Sequence, residues 1–97
     1  MLNLTYKNTA TKLKNITITG AINCNGWGFS KNTLLTTASI ISIVEHLYDN
    51  ATSKTVTFSQ TAVNNMIFPH TSEQSGVIYN SWDELVDTKQ NWTITTV

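Results

Sequence analysis

The sequence predicts a small α+β fold, and three observations carry that prediction. Several short stretches alternate apolar and polar residues, "LNLTY", "KNITITG", "SKTVTFSQ" and "WTITTV" among them, which is the period of a half-buried strand. One longer run, "TTASIISIVEHLYDN", spaces its apolar residues as a helix does. A second helix start is written as a capping box at Ser81 and Glu84. At 97 residues the chain fits one domain, 1–97, with 1–33 holding N-terminal strands and a tryptophan-bearing loop and 34–97 the remainder. A folded chain of this length buries roughly two-thirds of its unfolded surface, enough for a core without staples. The single cysteine, Cys24, has no partner for an internal disulfide, so packing must supply the stability.

In chain order, "LNLTY" sets Leu2, Leu4 and Tyr6 on one face of a first strand, and "KNITITG" does the same with Ile16 and Ile18 for a second. The polar "KNTATKLK" between them reads as a hairpin loop. "AINCNGWGFSKN", with its Asn-Gly pair and two glycines around Trp27, reads as a turn-rich connection anchored on the core by Trp27 and Phe29. Thr36 or Thr37 can cap the main helix, whose apolar face holds Ile40, Ile43, Val44 and Leu47, widened by Ile41 and Tyr48, and whose end is marked by Asp49 and Asn50. The polar stripe left over is narrow, so this helix should be mostly covered. "SKTVTFSQ" is a strand with Val56 and Phe58 inward, and "TAVNNMIF" a short helix or turn burying Val63, Met66 and Ile67. "PHTSEQSG" reads as an exposed loop opened by the only proline, Pro69, and "VIY" as a short edge strand. In the box, the Ser81 hydroxyl takes the amide of Glu84 and the Glu84 carboxylate returns to the amide of Ser81. Trp82, Leu85 and Val86 form the buried stripe of that helix, Asn91 sits where a left-handed residue would end it, and Trp92, Ile94 and Thr96 share one face of a last strand. The expected order is β-β-α-β-α-β.

Composition narrows the function classes. Six basic and six acidic side chains give zero net charge with no basic face, which argues against nucleic acid as a partner. No segment reaches the length of a membrane span, and "MLNLTYKNTATKLKN" lacks the apolar stretch of about seven to fifteen residues of a secretory leader. The expectation is a chain made in the cytoplasm without a membrane role. The 17 threonines and 11 asparagines suit a β-rich outer surface that is polar without being charged. Four Asn-x-Thr sequons, at Asn3, Asn15, Asn50 and Asn91, are close to the roughly three such a composition yields by chance.

Several side-chain groupings carry the atoms of known chemistries. Ser42, His46 and Asp49 follow one helical stripe, but a working triad needs a cleft, an oxyanion hole and groups from separate segments, so a solvated face is expected. Glu45, His46, Asp49 and the distant His70 carry metal-ligand atoms, yet Glu45 and His46 point about 100° apart on a helix and His70 stands in a loop, so no metal is expected. His46 instead lies near the negative end of its helix dipole. Of the three tryptophans, Trp82 and Trp92 are read as core and Trp27 as the contact residue for a ligand or partner, with Phe29 beside it and His70 as a further contact. Cys24 reads as an inert thiol. "NGWGF" lacks the bare backbone and following Lys-Ser or Lys-Thr of a phosphate loop, so neither a catalytic residue nor a cofactor is assigned.

The stretch "LLTTASIISIVEHLYDNATSKTVTFSQTAVNNMI" followed by "SWDELVDTKQNWTITTV" resembles the C-terminal cap of BspA-like leucine-rich-repeat surface proteins, which also occur in tail and appendage proteins of bacteriophages of gut bacteria. The resemblance rests on the helix within 35–47, the threonine-rich strand within 54–58, the Ser81 to Glu84 cap and the Lys89 to Ile94 ending, about sixty residues together. "FPHTSEQSGVIYN" looks inserted, Asn91 stands where the family has glycine, and no repeat array precedes the segment. The resemblance implies a leucine-rich-repeat-cap-like fold and a scaffold or recognition role without catalysis. A cap with an uncovered edge looks for a partner, so the expectation is a non-enzymatic structural or adhesive module: a bacteriophage virion component (head fibre, decoration or tail-tip protein) working as a homo-oligomer, a trimer being one form, with other virion or surface proteins. The alternative is a bacterial cell-surface or carbohydrate-binding module with a glycan as partner. A third class is a small hydrolase using Ser42 and His46.

Overall fold

The computed structural model describes residues 12–23, 25–49 and 54–97. The expected first strand at "LNLTY", Cys24 and the boundary residue Asn50 lie outside these. α and β elements are mixed around one core. Strands β1 (Trp27–Phe29), β2 (Lys54–Phe58) and β5 (Trp92–Thr96) form a parallel sheet in the order β1-β2-β5, and β3 (His70–Thr71) and β4 (Ile78–Tyr79) form a separate antiparallel pair. Helices α1 (Thr37–Glu45), α2 (Gln60–Asn64) and α3 (Trp82–Val86) lie between strands, and α3 runs into a 3-10 turn, Asp87–Lys89. Among the described residues no helix is long and apolar enough to cross a membrane.

The register explains the alternation in the sequence. Trp27, Val56 and Ile94 are level across the sheet, as are Phe29, Phe58 and Thr96. Val56 and Phe58 are fully buried. Phe58 is stacked on by Phe29, with ring centres 5.6 Å apart, and met edge-on by Trp82 at 5.8 Å. The opposite face of β2 and β5 carries Thr55 level with Thr93 and Thr57 level with Thr95, the latter pair joined hydroxyl to hydroxyl at 3.0 Å.

α1 begins where a threonine can serve it. The Thr36 hydroxyl accepts from the amide of Ser39, closing one of the orphan donors of the first turn. Residues 39–44 are all buried, so the helix is enclosed nearly all round. That enclosure corrects two expectations. The segment "KNITITG" forms no strand; its amides at Ile16 and Ile18 donate to the hydroxyls of Ser39 and Ser42 on α1, at 2.9 and 3.0 Å. Alternation marks a side chain that must face inward, and Ile18 does, but a serine-studded helix meets the backbone in place of a strand. Ser42, expected on a solvated stripe, is buried for the same reason.

The loop expected at 21–32 contains β1. The Asn-Gly turn does form, with Gly26 at φ +76° and its amide on the carbonyl of Thr55, and it delivers the next three residues to the edge of β2. "PHTSEQSG" is likewise more ordered than a loop: Thr71 pairs with Ile78 and His70 with Tyr79, so His70 sits in a strand. Ala62 is the buried residue of α2, while Val63 and Met66 are half-buried and Ile67 is 73% exposed.

The C-terminal segment ties off the exit of α1. Lys89 Nζ donates to the carbonyl of Leu47 at 2.8 Å, Trp92 Nε1 to that of Tyr48 at 3.0 Å, and the Asn91 amide to that of Asp49 at 2.8 Å. Carbonyls left over beyond a helix end are thereby satisfied from a single stretch of chain. The capping box is half formed: Ser81 Oγ accepts from the amide of Glu84 at 3.1 Å, and the Glu84 carboxylate takes the side-chain amide of Asn80 at 3.4 Å. Ser81→Ala should therefore cost about 1 kcal/mol, read as a shift in the urea midpoint at unchanged slope.

Candidate functional site

A polar cleft of about 370 Å³ opens beside the C-terminal end of α1, lined by Glu45, His46, Asp49, Gln74, Ser75, Tyr79, Thr88 and Lys89. Three pieces of chain build it. α1 and its exit supply the first three, the β3–β4 turn and β4 the next three, and the 3-10 turn the last two.

Glu45 is its centre. A carboxylate in the last turn of a helix faces the negative end of the dipole, which local rules disfavour. The chain compensates with three hydroxyls from one turn and its following strand: Ser72 Oγ donates to Glu45 Oε1 at 2.5 Å, and Ser75 Oγ and Tyr79 Oη donate to Oε2 at 2.5 and 2.8 Å. Burial pushes the Glu45 carboxyl up, but the hydroxyls of Ser72, Ser75 and Tyr79, helped by the nearby His46, hold it below its ordinary value of 4.5. Burial raises the Tyr79 phenol well above its ordinary value of 10, and the hydrogen bond and charge of Glu45 raise it further. Tyr79 is a proton donor locked onto an anion.

The turn that brings Ser72 and Ser75 together is shaped by Gly76, at φ +76°, whose amide donates to the carbonyl of Ser72 at 2.9 Å. Among the described residues no atom lies within 4 Å of where a Cβ would stand, so the cost of Gly76→Ala is that of the left-handed backbone, about 1–2 kcal/mol by thermal unfolding, with Glu45 losing its hydroxyls first as the turn loosens.

His46 and Asp49 are held from other directions. His46 Nδ1 lies 2.6 Å from the carbonyl oxygen of Ser42; since a carbonyl only accepts, Nδ1 carries a proton, and in the neutral ring Nε2 is then the acceptor. Asp49 is paired with Lys89, whose nitrogen is buried while the carboxylate is 76% exposed. Lys89 is a foot of the site, satisfied on its inner side by Leu47.

This geometry assembles no triad. The Ser42 hydroxyl accepts from the amide of Ile18 and donates to Gln74 Oε1 at 2.7 Å, and His46 meets the carbonyl of Ser42 rather than its hydroxyl. Among the described residues no three His, Cys, Asp or Glu side chains are grouped as metal ligands. The contact residues read from the sequence lie elsewhere: Trp27 is in β1, Phe29 is buried against Phe58, and His70, half-buried in β3, pairs with Tyr79. Neither Phe29 nor His70 lines the cleft.

Sequence reasoning reached Glu45, His46 and Asp49 but passed over Ser72, Ser75 and Tyr79. The available signal was the Ser-x-x-Ser-Gly spacing in "SEQSG", which places two hydroxyls on one side of a tight turn. Comparison with known proteins brought no further assignment: no family model, no curated protein and no solved structure matches the chain.

Proposed function

We propose that the chain is a non-enzymatic structural or adhesive module, a bacteriophage virion component such as a head fibre, decoration or tail-tip protein, that works by assembling with copies of itself and with other virion proteins. The observation that carries this reading is the parallel sheet whose strands follow one another in chain order, β1-β2-β5, with helices between them. Repeat-type proteins stack their units in this way, and a closing unit that stands without its stack leaves a sheet edge open to a neighbour. Among the described residues β5 is paired on one side only. The leucine-rich-repeat-cap resemblance fits the same arrangement, since a cap is the last unit of such a stack.

Sedimentation of the purified chain, followed by co-sedimentation with virions, tests the reading. An oligomer that incorporates into particles is the expected result; a monomer at high concentration with no affinity for virions or cells would defeat it.

A second reading, a cell-surface or carbohydrate-binding module, is favoured by the cleft at Glu45, which has the size of a small-ligand site and brings several polar groups together. Glycan binding that is lost on Tyr79→Phe, Ser75→Ala double substitution, with particle association absent, would favour it over the first.

A further inference from the structure

The hydrogen-bonding atoms of the cleft are lopsided. Its hydroxyl protons are spent on the protein: Ser75 and Tyr79 donate to Glu45, and Thr88 donates to the carbonyl of Leu85 at 2.7 Å. The Gln74 amide donates to the carbonyl of Ile18 at 2.9 Å, and Lys89 spends two of its three protons on Leu47 and Asp49. Among the described residues, the capacity that remains is largely on the acceptor side. It consists of Nε2 of His46, whose proton is fixed on the other ring nitrogen, the second oxygen of Asp49, and the last lone-pair position of Glu45. Two carboxylates against one ammonium leave one negative charge when the imidazole is neutral.

A complementary ligand brings protons and a positive charge. A guanidinium prefers a carboxylate with both oxygens free, so that its planar fork binds in parallel. Here both oxygens of Glu45 are occupied and one of Asp49 is taken by Lys89. Three single acceptors from three residues suit the three protons of an –NH3+ group instead.

We propose that this cleft is a binding site for a primary ammonium group, supplied either by a free alkylamine or by a lysine side chain of a partner protein. The site is separate from the sheet edge on which the assembly reading rests, and it stands whether or not the chain belongs to a virion.

The test is a titration of the wild-type chain followed by the ring signals of His46 in 1H–13C correlation spectra. The probes are Nα-acetyl-lysine methylamide, butylamine, the Nε-acetylated lysine probe, Nα-acetyl-arginine methylamide and N-acetylglucosamine. Both amines are expected to shift His46 in a saturable way, and the Nε-acetylated probe to bind at least about tenfold more weakly, the size of one charge-assisted hydrogen bond. Response to the lysine probe without butylamine would assign the site to a protein side chain; response to both would assign it to the ammonium alone. Absence of any shift at tens of millimolar amine would overturn the proposal. So would an Nε-acetylated probe or N-acetylglucosamine binding as well as the amines, or an arginine probe binding better. Because the titration uses the isolated chain, its failure leaves the sedimentation result untouched.

Discussion

Replacing Phe58 with alanine is expected to cost the fold about 3–5 kcal/mol, the largest effect of any single truncation among the described residues. The ring is fully buried at the middle strand of the sheet, stacked on Phe29 and met edge-on by Trp82, so its removal leaves a cavity between elements far apart in sequence. Each aromatic pair adds about 0.5–1.5 kcal/mol beyond the buried area. For a domain of this size, 1 kcal/mol corresponds to roughly 4–8 °C in Tm, so the variant should melt at least about 12 °C lower or lose its cooperative transition altogether. Phe58→Leu, which keeps most of the volume, should recover a large part of the loss. A Phe58→Ala chain that melts within a few degrees of the wild type would mean that this ring is not the hub of the core.

The second large effect is electrostatic. Glu45→Gln keeps the shape of the side chain but removes the charge that three hydroxyls are turned toward. Hydrogen bonds to charged groups are worth more than neutral ones, and because the carboxylate is half-exposed, solvent screening brings the expected loss to roughly 1–3 kcal/mol at pH 7. Its pH dependence has a fixed sign. The carboxyl is held below its ordinary value of 4.5 in the fold, so its contribution is fully present above that value and disappears as pH falls through the lower folded value. Wild type and Glu45→Gln should therefore differ in stability at neutral pH and converge in acid. The measurement is urea unfolding of both chains across pH 7 to 3. A difference that persists unchanged at the acid end would show that the loss came from packing and not from the charge.

Local features of the sequence carried much of this structure. The Thr36 cap and the spacing of Ile40, Ile43 and Val44 placed α1, and the alternation around Val56 and Phe58 placed β2 and the direction its side chains take. These signals lie within a few residues of one another. What stayed hidden depends on neighbours distant in the chain. Ile16 and Ile18 alternate as a strand would, yet the hydroxyls that receive their amides lie on a helix over twenty residues away, at Ser39 and Ser42. The residues around Glu45 come from positions 72–79, and a serine that will serve a distant carboxylate is indistinguishable in sequence from one that faces water. β1 escaped notice because three residues are too short for a period to register, and its existence depends on β2 lying alongside.

The threonines of β2 and β5 have a consequence for how the molecule can be probed. Thr55, Thr57, Thr93 and Thr95 present hydroxyls and methyl groups but nothing that ionises. A contact made through that face would hold constant from dilute buffer to high salt, and from mildly acidic to alkaline solution. A contact made through the Glu45 cleft would weaken with both added salt and acid. Ionic strength alone thus separates the two surfaces, before any residue is changed.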